Sequence, residues 1–492
     1  MVFISEKEVA EHNTYQDCWV IIHNKVYDLT KFLPEHPGGV GVILDQAGKD
    51  ATTIFDTIHP QDIILRYLSP DVCLGEVDPA TVSKTSNVEV KRHYEPIKKK
   101  PPLNEILNLF DFEAVASQLS AAEAWSYFSC GANDEISYRE NHNAFHRIWL
   151  RPRVMRDVSH IDMSTKILGH DSSFPLYITA TAMAKLGHPE GEVLLTRAAH
   201  SHGIIQMIPS FGSCSLEEMT SAREKGQIQF YQLYVNKNRN IARKVIQTAQ
   251  ENGCKAFFIT VDVSVIGRRE KDMQIKYDGA LPNIIDENNE NDNYLRRDQG
   301  ASGVAASLID PSFNWNDLKW IRSITSLPIV IKGIQTLEDA ILAAEYGCDG
   351  IVLSNHGGRQ LDFAPSAIEI LPEVVESLKK LGLFDKIEIY IDGGIRRGTD
   401  IFKAIALGAK AVGLGRPLLY AMSSYGQVGV EHALQILKDE LEITMRLSGA
   451  NTLADICPEM VDIKNLTNHS ITPKDYLSSK VYKRLVPRRS NL

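Results

Sequence analysis

The stretch Gly350-Ile351-Val352-Leu353-Ser354-Asn355-His356-Gly357-Gly358-Arg359-Gln360 passes from an apolar run into a polar turn that contains two glycines. The apolar run predicts a buried strand. The turn places an imidazole and a guanidinium three residues apart, where the glycines leave room for a ligand. An imidazole can act as a base near neutral pH, and a guanidinium binds a carboxylate through two N–H groups. The stretch therefore indicates either chemistry on a small acid or a glycine turn with incidental polar residues.

Eight apolar runs of strand length recur through the larger part of the chain, and the quoted stretch contains the sixth. They cover residues 175–182, 204–210, 228–235, 256–262, 328–334, 350–355, 388–394 and 411–417. Segments of helical period that end in glycine, as helices often do, lie between several of them, at residues 190–203, 216–226, 337–347 and 398–408. This alternation predicts an α/β fold, a (β/α)8 TIM barrel. The alternative is an open doubly wound sheet, but no G-x-G-x-x-G motif follows an early strand.

Polar residues gather where the predicted strands end, at the face where such barrels build active sites. From the third strand to the eighth they are Gln232, Tyr234, Thr260, Asp262, Lys332, His356, Arg359, Asp392, Gly393, Gly394, Arg396, Gly415 and Arg416. One polar strand residue is usually a satisfied core group, but packing does not explain the same pattern on six strands. Lys332 either stabilises an anionic cofactor ring or forms an internal ion pair with Asp392 or Asp262. The glycine turns after the last two strands predict a phosphate site, with Arg416 as a fork.

The segment from about residue 105 to 460 resembles the FMN-dependent L-2-hydroxy-acid dehydrogenases and oxidases. The motifs that carry this resemblance lie at residues 129–134 (SCGAND), 179–182 (TATA), 231–235 (YQLYV), 260–262 (TVD), 331–333 (IKG), 354–360 (SNHGGRQ) and 392–398 (DGGIRRG). The resemblance implies that FMN is held by Ala180, Thr181, Ala182, Gln232, Thr260, Lys332, Ser354, Asp392, Gly393, Gly394, Arg396, Gly415 and Arg416.

The same resemblance implies roles for the residues that meet the substrate. His356 is the base that takes a proton from the substrate, and Asp262 stabilises the imidazolium that forms. Arg359 binds the substrate carboxylate, with Arg269 as a second, more mobile cation. Further contacts come from Tyr127, which adds a hydrogen bond, and from Tyr234, which contacts the substrate hydroxyl. Whether the substrate first loses a proton or loses a hydride directly stays open.

The sequence departs from the family pattern at Pro209 and Phe211, after the second strand. Family members often have a hydroxyl residue at the first position, where it reaches the flavin. The second position lines the pocket for the substrate side chain, and it is Leu in yeast lactate dehydrogenases and Trp in plant glycolate oxidases. The departures leave the reaction class unchanged but leave the identity of the acid open.

The N-terminal block, residues 1–78, carries a second cofactor signal. His36 follows Phe32-Leu33-Pro34-Glu35 and precedes Pro37-Gly38-Gly39, and His59 lies 23 residues after His36. Together with residues 19–30 (WVIIHNKVYDLT), this pattern resembles the small α+β cytochrome b5 family, in which two histidines ligate haem iron from opposite faces. Both axial positions are then filled, so such a haem b transfers electrons rather than binding oxygen. The other two histidines of the block, His12 and His23, are expected at the surface.

Composition and length limit the remaining possibilities. A chain of 492 residues exceeds one core, and we expect a haem domain at residues 1–78, a proline-containing linker at 79–102, the FMN barrel at 103–470 and a tail at 471–492. Residues 286–298 are rich in Asn, Asp and Glu and are expected to form a loop. The net charge of −9 argues against nucleic acid, and no apolar run is long enough to span a membrane. Seven scattered cysteines without a C-x-x-C pair predict reduced, buried thiols.

The two blocks together resemble the flavocytochrome b2 family, the fungal L-lactate:cytochrome c oxidoreductases. This implies oxidation of an L-2-hydroxy acid, above all L-lactate, with electrons passed singly through haem to cytochrome c, and a homotetramer. It also implies the mitochondrial intermembrane space, although the N-terminus shows no presequence, so the cytoplasm is the alternative. The final Ser490-Asn491-Leu492 differs from the peroxisomal S-K-L signal by lacking its basic residue. The rival functions are an oxidase that delivers electrons to O2 and a haem-carrying redox sensor without catalysis.

Overall fold

The computed structural model describes residues 3–33, 43–59, 64, 68–79, 81, 100–273 and 309–469. Four sequence predictions lie wholly or mostly outside these residues. They are the haem ligand His36, the linker at 79–102 (of which 79, 81 and 100–102 are described), the acidic segment 286–298 and the tail 471–492.

The N-terminal block forms a mixed five-stranded sheet with two described helices. The strands are β1 Phe3–Ile4, β2 Asn13–Thr14, β3 Asp17–Ile22, β4 Lys25–Asp28 and β5 Cys73–Val77, in the order β1-β5-β4-β3-β2. The helices are α1 Glu6–Glu11 and α2 Thr52–Ile58. Alternate residues of β3, such as Val20 and Ile22, pack with Leu33 in a small buried core, while Ile21 faces a second cluster on the other side of the sheet. The α+β fold predicted for this block is confirmed.

The larger part of the chain forms a closed barrel of eight parallel strands. After the short strands β6 Trp149–Leu150, β7 Thr165–Ile167 and β8 His170–Ser172, the barrel strands follow as β9 Leu176–Ile178, β10 Ile205–Ile208, β11 Gln229–Leu233, β12 Phe257–Thr260, β13 Ile329–Ile334, β14 Gly350–Leu353, β15 Glu388–Asp392 and β16 Ala411–Leu414. Each pairs with the next, and β16 pairs with β9. The predicted TIM barrel is therefore confirmed, with all eight strands inside the predicted runs.

Several predicted runs extend beyond the strands that form. Residues 180–182, 354–355 and 393–394 belong to those runs but leave the strand ladder at its carboxyl end. These residues leave the ladder for a geometric reason. A segment that stays hydrogen-bonded in the ladder cannot turn its backbone toward the barrel axis. The residues lost from the strands are therefore those available for a site.

Helices surround the barrel, and three of the four predicted helical segments form helices near the predicted positions. The helices are α3 Leu109–Leu119, α4 Ala122–Ser129, α5 Ile136–His146, α6 Glu192–Ser201, α7 Leu216–Ser221, α8 Arg239–Glu251, α9 Leu318–Arg322, α10 Leu337–Glu345, α11 Ala367–Lys380, α12 Gly398–Ala406 and α13 Arg416–Ser448. Helix α7 is shorter than the predicted 216–226, because the chain turns after Ala222 and Gln227 donates to the carbonyl of Thr196. Helix α13 is divided at Gly426, whose φ of 63° is not helical.

The lower half of the barrel interior is filled by aromatic side chains. Tyr177, Phe230, Phe258 and Tyr390 come from four strands and contact one another with ring centroids 5.4–6.2 Å apart. All four are buried. This layer closes the described interior of the barrel below the carboxyl ends of the strands.

Three smaller features complete the fold. No helix in the described ranges has both the length and the apolar character required to cross a bilayer. All seven cysteines are unpaired, but Cys73 is exposed and Cys457 is half-buried, so the prediction that every thiol is buried is wrong for these two. Cys73 is the first residue of β5, and Cys457 lies just before a C-terminal turn, so little chain covers either thiol. At the end of the predicted linker, Lys100 donates to the carbonyl of Ser424 and lies over the ring of Tyr425.

Candidate active site

A cavity opens at the carboxyl ends of the barrel strands, and its wall contains residues from each of the eight strands or from the turn that follows it. The predicted residues that line it are Tyr127, Ala180, Thr181, Ala182, Phe211, Gln232, Tyr234, Thr260, Arg269, Lys332, His356, Arg359, Asp392, Gly393, Gly394, Arg396, Gly415 and Arg416. Two predicted residues, Asp262 and Ser354, lie behind this wall rather than in it. The structure thus brings together every site residue predicted for the barrel.

His356 and Asp262 form a buried pair. The imidazole Nδ1 lies 2.8 Å from Asp262 Oδ1, and the aspartate side chain is 0% exposed while the histidine side chain is 20% exposed. A carboxylate accepts a hydrogen bond, so Nδ1 carries the proton and Nε2 keeps its lone pair for a ligand in the cavity. This arrangement is that of a base held by a carboxylate behind it.

The surroundings tune both members of this pair. Burial lowers the pKa of His356 below its ordinary value of 6.5, although Asp262 opposes that shift. Burial acts to raise the pKa of Asp262, but the charges of His356 and Lys332 outweigh it and hold that pKa below its usual value of 3.8. At neutral pH the pair is therefore a neutral imidazole beside an ionised carboxylate, which is the state that can accept a proton.

The loop that carries His356 has an unusual backbone. His356, Gly357 and Gly358 have φ values of 57°, 63° and 74°, all in the left-handed region. A buried pair of amides supports this loop, because Asn141 and Asn355 donate to each other at 2.8 and 2.9 Å. The oxygen of Asn355 also accepts from the backbone N–H of Gly358 at 2.9 Å. The amide pair thus fixes the strained turn in front of which a ligand binds.

Two guanidinium groups lie on one side of the cavity. Arg359 donates through Nη1 to the carbonyl of Tyr127 at 2.7 Å and to that of Cys130 at 3.2 Å, and it lies 5.0 Å from the centre of the Tyr127 ring. Burial and the nearby charge of Arg359 lower the pKa of Arg269 to about 10, which still leaves it charged at neutral pH. Two buried cations of this kind suit an anionic ligand, and a carboxylate matches the fork of Arg359.

Aromatic groups form another part of the cavity wall. Tyr234 is stacked on Phe211, with ring centroids 5.3 Å apart. Burial and the neighbouring Asp262 raise the pKa of Tyr234, so its hydroxyl stays protonated and can donate. Pro209 also lines the cavity. The hydroxyl next to it in sequence, Ser210, donates instead to the carbonyl of Gln232 at 2.5 Å, so it does not replace the missing hydroxyl at position 209.

Lys332 lies in the cavity wall and also forms an ion pair. Its Nζ is 3.2 Å from Asp392 Oδ2 and donates to Ser354 Oγ at 3.1 Å. Burial acts to lower the pKa of Lys332, but Asp392 and Asp262 outweigh it and raise that pKa above 10.5. The two interpretations given for Lys332 are therefore compatible, since the ion pair holds a permanent positive charge at the cavity surface.

The glycine turns after β15 and β16 form the far end of the cavity. A Cβ at Gly394 would lie 1.8 Å from the carbonyl oxygen of Asn141, so helix α5 packs directly against this turn. Arg396 lines the cavity beside it. Arg416 uses Nε, Nη1 and Nη2 to donate to the carbonyls of Phe128, Gly357 and Cys130. Because a guanidinium has five N–H groups, Arg416 still has donors for an anion, but its first role is to join three loops.

The donors and acceptors of this wall fit a flavin mononucleotide. Thr181 Oγ1 is buried at the wall without a hydrogen-bond partner among the described residues, as expected for an atom that bonds to a bound molecule. The charge of Lys332 suits an electron-rich ring, and the two glycine turns with Arg396 and Arg416 suit a phosphate.

Several residues of the site were not found from the sequence. Asn141, Cys130 and Gln360 hold its loops, and Phe128 and Ile266 line its wall. For Gln360 and Cys130 a signal was present, because each lies in a motif that carries the family resemblance. Asn141 lies in a segment of helical period with nothing local to mark it.

In the N-terminal block, His59 follows helix α2 and stacks on Phe55, with ring centroids 4.9 Å apart. Its predicted partner His36 lies outside the described residues. The two histidines expected at the surface have acidic partners, since His23 lies 2.8 Å from Asp56 and His12 lies 2.7 Å from Asp17.

Comparisons with known proteins agree with both parts. A family model described as FMN-dependent dehydrogenase matches residues 116–463, and one described as cytochrome b5-like haem/steroid binding domain matches residues 5–78. The chain is 49% identical over 481 residues to an L-lactate dehydrogenase (cytochrome) of Wickerhamomyces anomalus, covering 97% of this chain and 83% of the relative. It is 43% identical to a glycolate oxidase of Spinacia oleracea, covering 72% of this chain and 94% of the relative. The flavin-binding domain of baker's yeast flavocytochrome b2 superposes with a TM-score of 0.70 at 45% identity, covering 79% of this chain and 95% of that one.

Proposed function

The chain belongs to the FMN-dependent dehydrogenase family and carries a cytochrome b5-like domain, and on that basis we propose that it oxidises L-lactate to the 2-oxo acid and passes the electrons through haem. The cofactors are FMN in the barrel and haem b in the N-terminal domain. When bound, FMN would supply chemistry that takes two electrons from a substrate and passes them on singly, which a one-electron haem requires.

The residues on the substrate side have separate roles in this reaction. Arg359 and Arg269 bind the carboxylate, which fixes the carbon next to it before His356. Tyr234 donates to the substrate hydroxyl. His356 Nε2 takes a proton from the substrate, and Asp262 stabilises the imidazolium that results. Because Asp262 behind His356 is already ionised, the imidazolium of His356 forms without a second proton transfer.

The residues on the cofactor side are assigned from their place in the same wall. Residues 180–182, Gln232 and Thr260 line the same cavity as Lys332 and would hold the flavin ring. Gly393, Gly394, Arg396, Gly415 and Arg416 would hold the phosphate. Asp392 and Ser354 act through Lys332, since both contact its ammonium group. In the N-terminal domain, His36 and His59 would ligate the haem iron.

The observation that carries this proposal is the buried His356–Asp262 pair beside two guanidiniums in one cavity. An oxidase that delivers electrons to O2 is the second candidate, because the glycolate oxidase relative aligns with the barrel part of the chain. The presence of the N-terminal domain favours the dehydrogenase. A redox sensor without catalysis does not account for a positioned base and two anion-binding cations around the same cavity.

Steady-state rates with a panel of L-2-hydroxy acids test the proposal, with cytochrome c and O2 offered as alternative acceptors. We expect L-lactate to reduce the flavin and cytochrome c to be reduced in step with pyruvate formation. Hydrogen peroxide formed in equal amount to pyruvate, with cytochrome c unreduced, would instead establish the oxidase.

Three further assignments belong to the same proposal. We infer cytochrome c as the acceptor, a homotetramer as the assembly and the mitochondrial intermembrane space as the compartment. Light scattering of the purified chain tests the number of subunits. Fractionation of cells that express the full-length protein tests the compartment, and recovery in the cytosol would contradict it.

A further inference from the structure

Gln360 makes four hydrogen bonds to the loop that follows strand β12. Its Nε2 donates to the carbonyls of Asp262 at 3.2 Å and Val265 at 2.7 Å. Its Oε1 accepts from the backbone N–H of Gly267 at 3.4 Å and from Arg269 Nη2 at 2.8 Å. The glutamine is 8% exposed and does not line the cavity. The side-chain amide of Gln360 therefore joins the turn after β14 to the loop that runs from Asp262 to Arg269, two residues of the site.

The two segments are also in direct backbone contact. A Cβ at Gly267 would lie 2.5 Å from the carbonyl oxygens of Arg359 and Gln360. Arg269 Nε donates to the carbonyl of Arg359 at 3.3 Å. Because the two backbones lie so close together, a small movement of the loop after β12 would break several hydrogen bonds of Gln360 at once. The amide therefore makes all its hydrogen bonds in one position of that loop.

Arg269 needs such support for an electrostatic reason. Its guanidinium is buried near that of Arg359, and these two effects lower its pKa to about 10. A buried cation next to a like charge is favoured to turn toward water unless an acceptor holds it. The neutral oxygen of Gln360 is such an acceptor, and it leaves the positive charge of Arg269 available for an anionic substrate.

We propose that Gln360 is a positioning residue that keeps the guanidinium of Arg269 at the substrate carboxylate. The proposal rests on the proposed function, because it names how one of the two substrate-binding cations is held. Gln360 itself touches neither substrate nor cofactor, and its effect passes through Arg269.

A double-mutant cycle on the full-length, FMN-loaded protein tests this. The variants are Gln360→Met, Arg269→Met and the two combined, and the measurements are kcat and KM for L-lactate and the dissociation constant of pyruvate from the flavin absorbance. Loss of a hydrogen bond to a charged group predicts that Gln360→Met raises KM and the pyruvate dissociation constant about tenfold, with a smaller change in kcat. In the Arg269→Met background, Gln360→Met should raise KM and the pyruvate dissociation constant by less than about twofold, because Arg269 is already absent.

Gln229→Met is the matched control. Gln229 is a buried glutamine whose Nε2 also donates several hydrogen bonds, to Thr196, Gln206 and Met219, but it lies at the start of its strand, away from the cavity. Its substitution should lower the melting temperature without a change in KM or pyruvate affinity. An unchanged pyruvate affinity in Gln360→Met would overturn the proposal. So would a Gln360→Met effect on the pyruvate dissociation constant that is as large in the Arg269→Met background as in the unmodified protein.

A second variant keeps the test decisive if Gln360→Met does not fold. The side chain of Gln360→Glu can still accept a hydrogen bond from Arg269, but it places a negative charge next to that guanidinium. Pyruvate should therefore bind more weakly, and wild-type affinity would contradict the proposal. Failure of the proposed function looks different, because the unmodified protein would then show neither lactate-dependent flavin reduction nor pyruvate binding.

Discussion

At the scale of single residues, the chemistry depends on how burial sets protonation. His356 is kept neutral by burial, and Asp262 is kept ionised by the charge of Lys332 and by the hydrogen bond from His356. Arg269 and Lys332 stay charged in the same cavity. One pocket thus holds a neutral base together with cations that suit anionic partners.

Substitution of the base should reduce turnover without loss of the flavin. We expect His356→Gln to lower kcat by at least about 10²-fold, since a positioned general base typically contributes about 10²–10⁴-fold. Bound FMN should remain, because its phosphate is assigned to the turns after β15 and β16 rather than to the turn that carries His356. In the unmodified enzyme, kcat/KM should fall as the pH falls through the pKa of His356, because the imidazolium cannot accept a proton, and the midpoint should lie below 6.5. Near-normal turnover of the variant, with flavin content as the control, would remove His356 from the mechanism.

Phe211 should limit the size of the substrate side chain. Its ring is stacked on Tyr234 in the cavity wall, so lactate and glycolate should be better substrates than mandelate. Phe211→Ala releases the volume of one side chain while Arg359 and His356 still hold the reacting carbon. A mismatch of this kind is worth about 1–3 kcal/mol per methylene, so the ratio of kcat/KM for mandelate over lactate should rise about tenfold or more. The same ratio in both proteins would show that Phe211 does not meet the substrate.

At the scale of elements, the site is built from the turns at the carboxyl ends of the strands and from the helix that packs on them. The Gly393–Gly394 turn after β15 meets helix α5, whose Asn141 also pairs with Asn355 in the turn after β14. His142 on the same helix contacts the carbonyl of Gly394 at 2.9 Å. One helix therefore fixes both the loop of the base and the turn assigned to the phosphate.

This contact predicts a specific sensitivity at Gly394. Gly394 has φ 84° and no space for a Cβ, whereas Gly226 has φ 86° and nothing within 4 Å of that position. Both alanine variants carry the same backbone strain, so Gly394→Ala should reduce the free energy of unfolding by about 1–3 kcal/mol more, which is typical of overpacking. Thermal melts and the FMN content of the purified variants measure this. Equal melting temperatures of the two variants would contradict the packing of α5 on the turn.

At the scale of the whole molecule, the two cofactors belong to parts with separate apolar cores. The N-terminal sheet packs around Val20 and Leu33, and the barrel packs around its own strands and helices. No described core cluster contains residues of both parts. The two parts are therefore expected to bind their cofactors independently.

Removal of a haem ligand tests that independence. We expect His36→Ala to abolish haem binding and cytochrome c reduction but to leave lactate-dependent reduction of the flavin nearly unchanged. Absorbance spectra give the haem content, and stopped-flow flavin absorbance gives the reduction rate. If flavin reduction in the FMN-loaded variant falls with haem content, the two parts do not act separately.

The sequence by itself determined the barrel and most of its site. Eight apolar runs can be counted along the chain, and the side chains just after them must meet because parallel strands of a barrel end at one face. Tyr127, which precedes the barrel, was placed in the site by family resemblance rather than by this rule.

Only the tertiary structure decided what supports those side chains. Asn141 lies 214 residues from Asn355, and Gln360 lies 91 residues from Arg269, yet each pair shares hydrogen bonds. Such contacts form where loops from different strands pack against one another, and no local pattern marks them. The same holds for Asp262 and Ser354, which the sequence put in the site but which only packing placed behind its wall. Local hydrophobicity determines where the strands lie along the chain, whereas their carboxyl ends and the loop contacts are fixed by the closure of the barrel.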